Sequence, residues 1–245
     1  MSLGFLVVAA VALVAGLAAG LTGFGLALIL VPAMLIFYEP TTVVLVSIVL
    51  GIFTALTVIA DSWKNIRGRT VLSLLPFAFV GLVAGSEILR VVEARYIQLG
   101  AGAVVACAAL LLIREVRLPG ARTRLGTAFA GFTSGTLSTS IGLPGPPIVL
   151  FFAARDLPKR EFRVSNAAYF LVLNLVGLAL LFFRDIAEIG DLPLAALLIP
   201  ATFVGKALGT ALLKRLSEQA FRLIALGVTA CTGVLGAMSA AWAML

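Results

Sequence analysis

Two short stretches of this 245-residue chain have the residue types to hold a small anion without a charged side chain. One is Gly20-Leu-Thr-Gly-Phe-Gly25; the other is Ser138-Thr-Ser-Ile-Gly-Leu-Pro-Gly-Pro-Pro147. Each interrupts a long apolar run, because Gly and Pro break helices. A new helix should follow each break. Ser and Thr cap such helix ends, and Pro146-Pro147 suit a first helical turn, where a missing N–H costs nothing. The free N–H groups and positive dipole end of the new helix then form an anion site. Glycine lets a solute come close to the backbone. The candidate binding residues are Gly20, Thr22, Gly23 and Gly25 at the first break, and Ser138, Thr139, Ser140, Gly142 and Gly145 at the second. Helix packing is the competing explanation, since small residues gather wherever membrane helices touch. Packing alone does not call for prolines beside Ser and Thr.

Further polar residues lie inside apolar segments. Asn166 and Asn174 follow the second break and either line a cavity or bond across helices. Lys206 is an intramembrane cation, which points to function, or its ammonium snorkels to the surface. Glu87 stands near a helix end and should reach the interface. For Gly81, Gly85, Gly205 and Gly209, spaced in fours, packing is favoured. Cys107 and Cys231 read as small buried core residues, not a disulfide or zinc framework. The chain has no His, which removes imidazole metal ligands and every His-activated nucleophile. With few intramembrane carboxylates as well, an enzyme is not expected, nor a metal or other cofactor. No Walker-type phosphate loop is present, so ATP would have to act through another subunit.

The elements that must position these residues are membrane helices. Hydrophobic residues make up 62% of the chain and charged ones 12%, against about 25% charged in soluble domains. Eight apolar stretches stand out: 4–38, 41–60, 70–89, 96–113, 125–154, 164–183, 192–213 and 219–245. Six have the length of one spanning helix, about 20 residues. The first and fifth are longer and should each be a hairpin or broken helix, split near the middle, for about 8 to 10 membrane segments in all. The net charge is +7, but the cations cluster in short loops, a pattern of membrane orientation that gives no support to nucleic-acid binding. Lys64, Arg67 and Arg69 belong inside, as do Arg114 to Arg124, Arg155 to Arg163, and Lys214 with Arg215. The acidic segment 184–191 belongs outside; Arg90 and Arg95 would join it, a mild conflict. Both termini then lie outside. The bilayer expected is a bacterial inner membrane, crossed many times.

The halves repeat. Residues 76–110 match 200–234 without a gap, with eleven of 35 pairs identical, among them Pro76/Pro200, Gly81/Gly205, Gly85/Gly209 and Cys107/Cys231. Gly16 and Gly20 align with Gly131 and Gly135. The fold class expected is all-α: one domain over 1–245, with repeat one at 1–115 and repeat two at 124–245, inverted relative to each other. Each repeat is a broken-helix hairpin plus three transmembrane helices. Inverted repeats whose broken helices meet near the midplane are the architecture of secondary transporters.

At its breaks, GLAAGLTGFGLALILVPAM from Gly16 and GFTSGTLSTSIGLPGPPIVLFFA from Gly131, the sequence resembles the sulfite exporter TauE/SafE family of bacterial membrane proteins. The likeness covers essentially the whole chain. It implies export of a small anion, sulfite or an organosulfonate such as sulfoacetate, coupled to the proton gradient. The family's motif regions map onto Thr22, Gly23 and Gly25, and onto Ser138, Thr139, Gly142, Pro144 and Gly145. The first break lacks the longer glycine run of many members. An anion channel, or a carrier for another small anion such as a carboxylate, is the alternative. A homodimer is compatible with the sequence.

Overall fold

The computed structural model describes residues 3–113, 120, 122–155 and 157–213. Among them the chain is helical, without a strand. The first part of the chain forms α1 (Leu3–Thr22), α2 (Leu26–Met34), α3 (Pro40–Ser62), α4 (Gly68–Val91) and α5 (Ala94–Ile113). The second forms α6 (Arg124–Ile141), α7 (Gly145–Ala153), α8 (Lys159–Phe183) and α9 (Leu192–Leu213). The eighth apolar stretch, Cys231 and the repeat matches beyond 213 lie outside the described residues.

Helices α1, α3, α4, α8 and α9 have the length and apolar composition to cross a membrane. Helices α2 and α7 do not. Each has nine residues, a reach of about 13.5 Å at 1.5 Å per residue, under half of a hydrocarbon core about 30 Å thick. The breaks, at 23–25 and 142–144, fall within the residues expected to interrupt each stretch. A long helix is followed by a half-length one.

Local chemistry sets both break points. Gly23 and Gly25 have φ of +78° and +96°, a backbone that costs an L side chain about 1–2 kcal/mol. Within that turn the Thr22 hydroxyl accepts from the Phe24 N–H at 3.2 Å. Its oxygen also lies 2.6 Å from the Phe24 carbonyl and 2.8 Å from that of Ala18. At the second break Gly142 is left-handed, and the Leu143 N–H reaches back to the Leu137 carbonyl at 3.0 Å, a Schellman-type stop. The Ser134 hydroxyl then donates to the Pro144 carbonyl at 2.7 Å, fixing the turn into α7.

The helices exchange partners between the two parts of the chain. Helix α1 packs chiefly on α9, α6 on α4, and α3 on α8. Glycines make the first two contacts close. A methyl on Gly16 or Gly20 would overlap the carbonyls of Thr202 or Lys206, and one on Gly205 or Gly209 those of Leu13 or Leu17. Gly81, Gly85, Gly131 and Gly135 play the same part between α4 and α6. Lipid tails are as apolar as the helices, so close backbone packing, not water exclusion, drives these contacts.

The loop ends group as the charges suggest. Arg67 meets Glu161 at 2.6 Å at one end, while Arg184 joins Glu87 and Ser86 at the other. Glu87 is partly exposed there, near its helix end. Two expectations fail. Cys107 is exposed, on an outward strip of α5 with Ala103 and Leu110, because no other described residue covers that face of the helix. Arg163, counted as a loop cation, is inside α8 and only 6% exposed.

Candidate functional site

The two breaks meet around one cavity of about 60 Å3. Gly23 and Gly25 line it from the first break, and Gly142, Pro144 and Gly145 from the second. Ser47, Gly51 and Thr54 of α3 form one wall, and Ala167, Phe170 and Asn174 of α8 another. A water takes about 10–15 Å3 of such space, so the cavity suits a solute of a few heavy atoms. Aromatic packing helps hold the breaks together. The Phe162 ring of α8 meets Phe24 of the first break edge-on at 6.1 Å and Phe152 of α7 at 6.5 Å.

The breaks offer unequal donors. Helix α2 begins without a side-chain cap, and its Leu26, Ala27 and Leu28 line the cavity. Their N–H groups precede the first intrahelical bond, from the Ile29 N–H to the Gly25 carbonyl at 3.3 Å. Helix α7 begins Gly145-Pro146-Pro147. The two prolines carry no N–H, which leaves Gly145 as the donor of that first turn. The positive end of α7 is a dipole with few hydrogen bonds to give.

Side-chain polarity around the cavity is sparse. The Ser47 hydroxyl donates to the Val44 carbonyl at 2.9 Å, and that of Thr54 to the Leu50 carbonyl at 2.7 Å. Both spend their protons within α3. Asn174 supplies an amide, with its Nδ2 packed against Gly51, where an added Cβ would come within 2.5 Å.

Of the residues singled out from the sequence, Gly23, Gly25, Gly142, Pro144, Gly145 and Asn174 line the cavity. The others stand elsewhere. Gly20 packs on α9, and Thr22 closes its own turn. Thr139 donates across to the Leu82 carbonyl of α4 at 2.7 Å, and Ser140 to its own helix at Thr136. Ser138 of α6 and Asn166 of α8 are fully buried, their side-chain polar atoms without a hydrogen-bond partner among the described residues. Lys206 is 8% exposed and donates to the Thr57 carbonyl at 3.3 Å. It lines a smaller cavity of about 20 Å3, which has Thr54 in common with the larger one.

Sequence reasoning missed Ser47, Gly51, Thr54 and Phe170. A signal existed in the first three: small or polar residues at 47, 51 and 54 fall on one face of α3. Among the described residues no group of three or more His, Cys, Asp or Glu could hold a metal ion.

Comparison with curated proteins and with solved structures finds no match. The family model for the sulfite exporter TauE/SafE matches residues 8–235, nearly the whole chain. With broken helices converging on a small cavity inside a membrane-spanning helical body, this chain belongs to the sulfite exporter TauE/SafE family of membrane transporters.

Proposed function

We propose that this chain is a secondary carrier that exports small anions, sulfite or organosulfonates such as sulfoacetate, coupled to the proton gradient. One observation carries the reading: the two breaks, distant in sequence, line a single cavity sized for a few heavy atoms. The starts of α2 and α7 both face it, and two positive helix ends favour negative charge. The walls otherwise resemble a solute pocket, apolar with a few placed polar groups.

The exchange of partners supports a mechanism of alternating access. The reciprocal pairs, α1 with α9 and α6 with α4, support reading 1–115 and 124–245 as inverted repeats. Since each pair takes one helix from either repeat, the bodies that rock about the cavity are such mixed pairs and not the repeats themselves. Lys206 reaches the neighbouring cavity behind Thr54, so its ammonium adds to the positive potential felt by a solute.

The test is flux in proteoliposomes loaded with sulfite or sulfoacetate. Anion efflux that saturates and stops when a protonophore collapses the proton gradient is the expected result. Non-saturating flux that ignores the gradient would make the protein a channel. No flux of either anion, while a small carboxylate moves, would reassign the substrate.

A further inference from the structure

We infer that the cavity selects anions that carry a hydrogen-bond donor of their own, and that the hydroxyl oxygens of Ser47 and Thr54 make the selection. This rests on the reading that the cavity takes an anion, and it names the class of that anion. The walls offer opposite chemistries. At the start of α2 the N–H groups of Leu26, Ala27 and Leu28 precede the first intrahelical bond, so they are donors and suit an oxyanion. Helix α3 presents acceptors.

Ser47 and Thr54 stand about two turns apart on one face of α3, with Gly51 between them, and all three line the cavity. The Ser47 proton goes to the Val44 carbonyl at 2.9 Å and the Thr54 proton to the Leu50 carbonyl at 2.7 Å. Bonding back to the preceding turn holds each proton along the helix. Turning it toward a solute would cost the bond it now makes. What each oxygen has left to offer is its lone pairs, which accept and do not donate. Among the described residues no group donates to either oxygen. The Ser47 oxygen faces the second break, where a Cβ on Gly142 would come within 2.7 Å of it. At that break the Pro144 carbonyl already accepts from Ser134, so it competes poorly for a solute hydrogen. An oxyanion oxygen set against the α3 lone pairs is repelled, while an N–H or O–H on the same solute is held. A site with acceptors waiting for a donor rejects the analogue that lacks one. Of the anions named above, sulfite gains such a hydrogen when protonated to its monoanion, whereas ionised sulfoacetate has none.

Sulfamate and methanesulfonate separate this from charge and size. Both are monoanions of nearly the same shape, and only sulfamate has N–H donors where the other has a methyl. Every charge near the cavity acts on the two alike. Their binding is measured on the full-length protein in nanodiscs. Wild-type protein should bind sulfamate about three- to tenfold more tightly, the scale of one hydrogen bond. Combining Ser47→Ala with Thr54→Val should abolish the preference by weakening sulfamate and not methanesulfonate. Thr54→Ser, which keeps the oxygen, should keep the preference. Equal binding by the wild type, or tighter binding of methanesulfonate, overturns the inference without need of any variant. A preference that survives the double substitution overturns it too, and gives the selection to the Asn174 amide. Should the double variant fail to fold, the two single substitutions decide, and a preference unchanged in both overturns the inference. Wild-type protein that binds neither anion overturns the proposed function itself, a result distinct from equal binding of the two.

Discussion

The two breaks do the same topological job with different chemistry. The first is glycine-made: Gly23 and Gly25 take left-handed backbone, three backbone N–H groups open α2, and the buried Arg163 packs alongside. The second is proline-made: one left-handed glycine ends α6, Ser134 holds the Pro144 carbonyl, and two prolines start α7. Glycine at the first break leaves the backbone free to donate. Proline at the second fixes the turn and removes donors. On the proposed function, the first break binds and the second shapes.

The largest difference should appear on adding one methyl to each. Gly23→Ala puts a side chain on left-handed backbone and drives its Cβ into Arg163. The backbone term alone costs about 1–2 kcal/mol, and the contact cannot relax cheaply because backbone atoms are part of it. Transport should be lost and the melting temperature should fall by several degrees, read by fluorescence-detected size exclusion after heating. Gly145→Ala meets nothing within 4 Å and has ordinary backbone. Its melting should match wild type, while the methyl takes part of a cavity of about 60 Å3 and weakens anion binding. Equal loss of stability in both variants would erase the distinction between a constrained break and a permissive one.

How much of this was legible in the sequence differs between the breaks as well. Their existence was, because Gly20 to Gly25 and Ser138 to Pro147 interrupt runs too long for one helix. So was the fact that half of each contact pair is glycine, since Gly81, Gly85, Gly205 and Gly209 recur in fours. What periodicity could not reveal is which neighbour each small residue meets. Gly20 and Thr139 have the residue types of a site but spend them on α9 and α4. Arg163 counted with the loop cations because it stands beside Lys159 and Arg160, yet α8 starts at Lys159 and turns it inward. The donor deficit of α7 was in plain view in Pro146-Pro147: the missing N–H that suits proline to a helix start also removes a donor from it.

A subtler comparison sets the α3 wall against the α8 wall. Gly51 has no side chain, and Asn174 of α8 occupies the space. Gly51→Ala would bring a Cβ within 2.5 Å of the Asn174 Nδ2, at the end of a side chain that can swing away. The fold should therefore survive, with melting changed by little. The amide would leave its place in the cavity, and anion affinity should fall about tenfold, the scale of one placed hydrogen bond to a charged group. Asn174→Ala should show the same loss, and combining the two should add nothing. Additive losses would mean that Gly51 acts on the cavity by some route other than Asn174.

The smallest effect is expected behind the second break. Ser138 is fully buried on α6, and its hydroxyl has no partner among the described residues. Its neighbour Thr139 spends its proton on the Leu82 carbonyl of α4. Removing a hydroxyl that makes no bond restores nothing lost and leaves no donor stranded, whereas removing one that bridges two helices sacrifices about 0.5–1.5 kcal/mol. Ser138→Ala should thus leave melting unchanged or slightly raised, and Thr139→Val should lower it. Neither residue lines the cavity, so anion affinity in the folded fraction should stay at the wild-type value for both. A marked fall in affinity for Ser138→Ala would show that its hydroxyl bonds to something the solute needs. The second break would then bind as well as shape, and the division of labour between the two breaks would have to be abandoned.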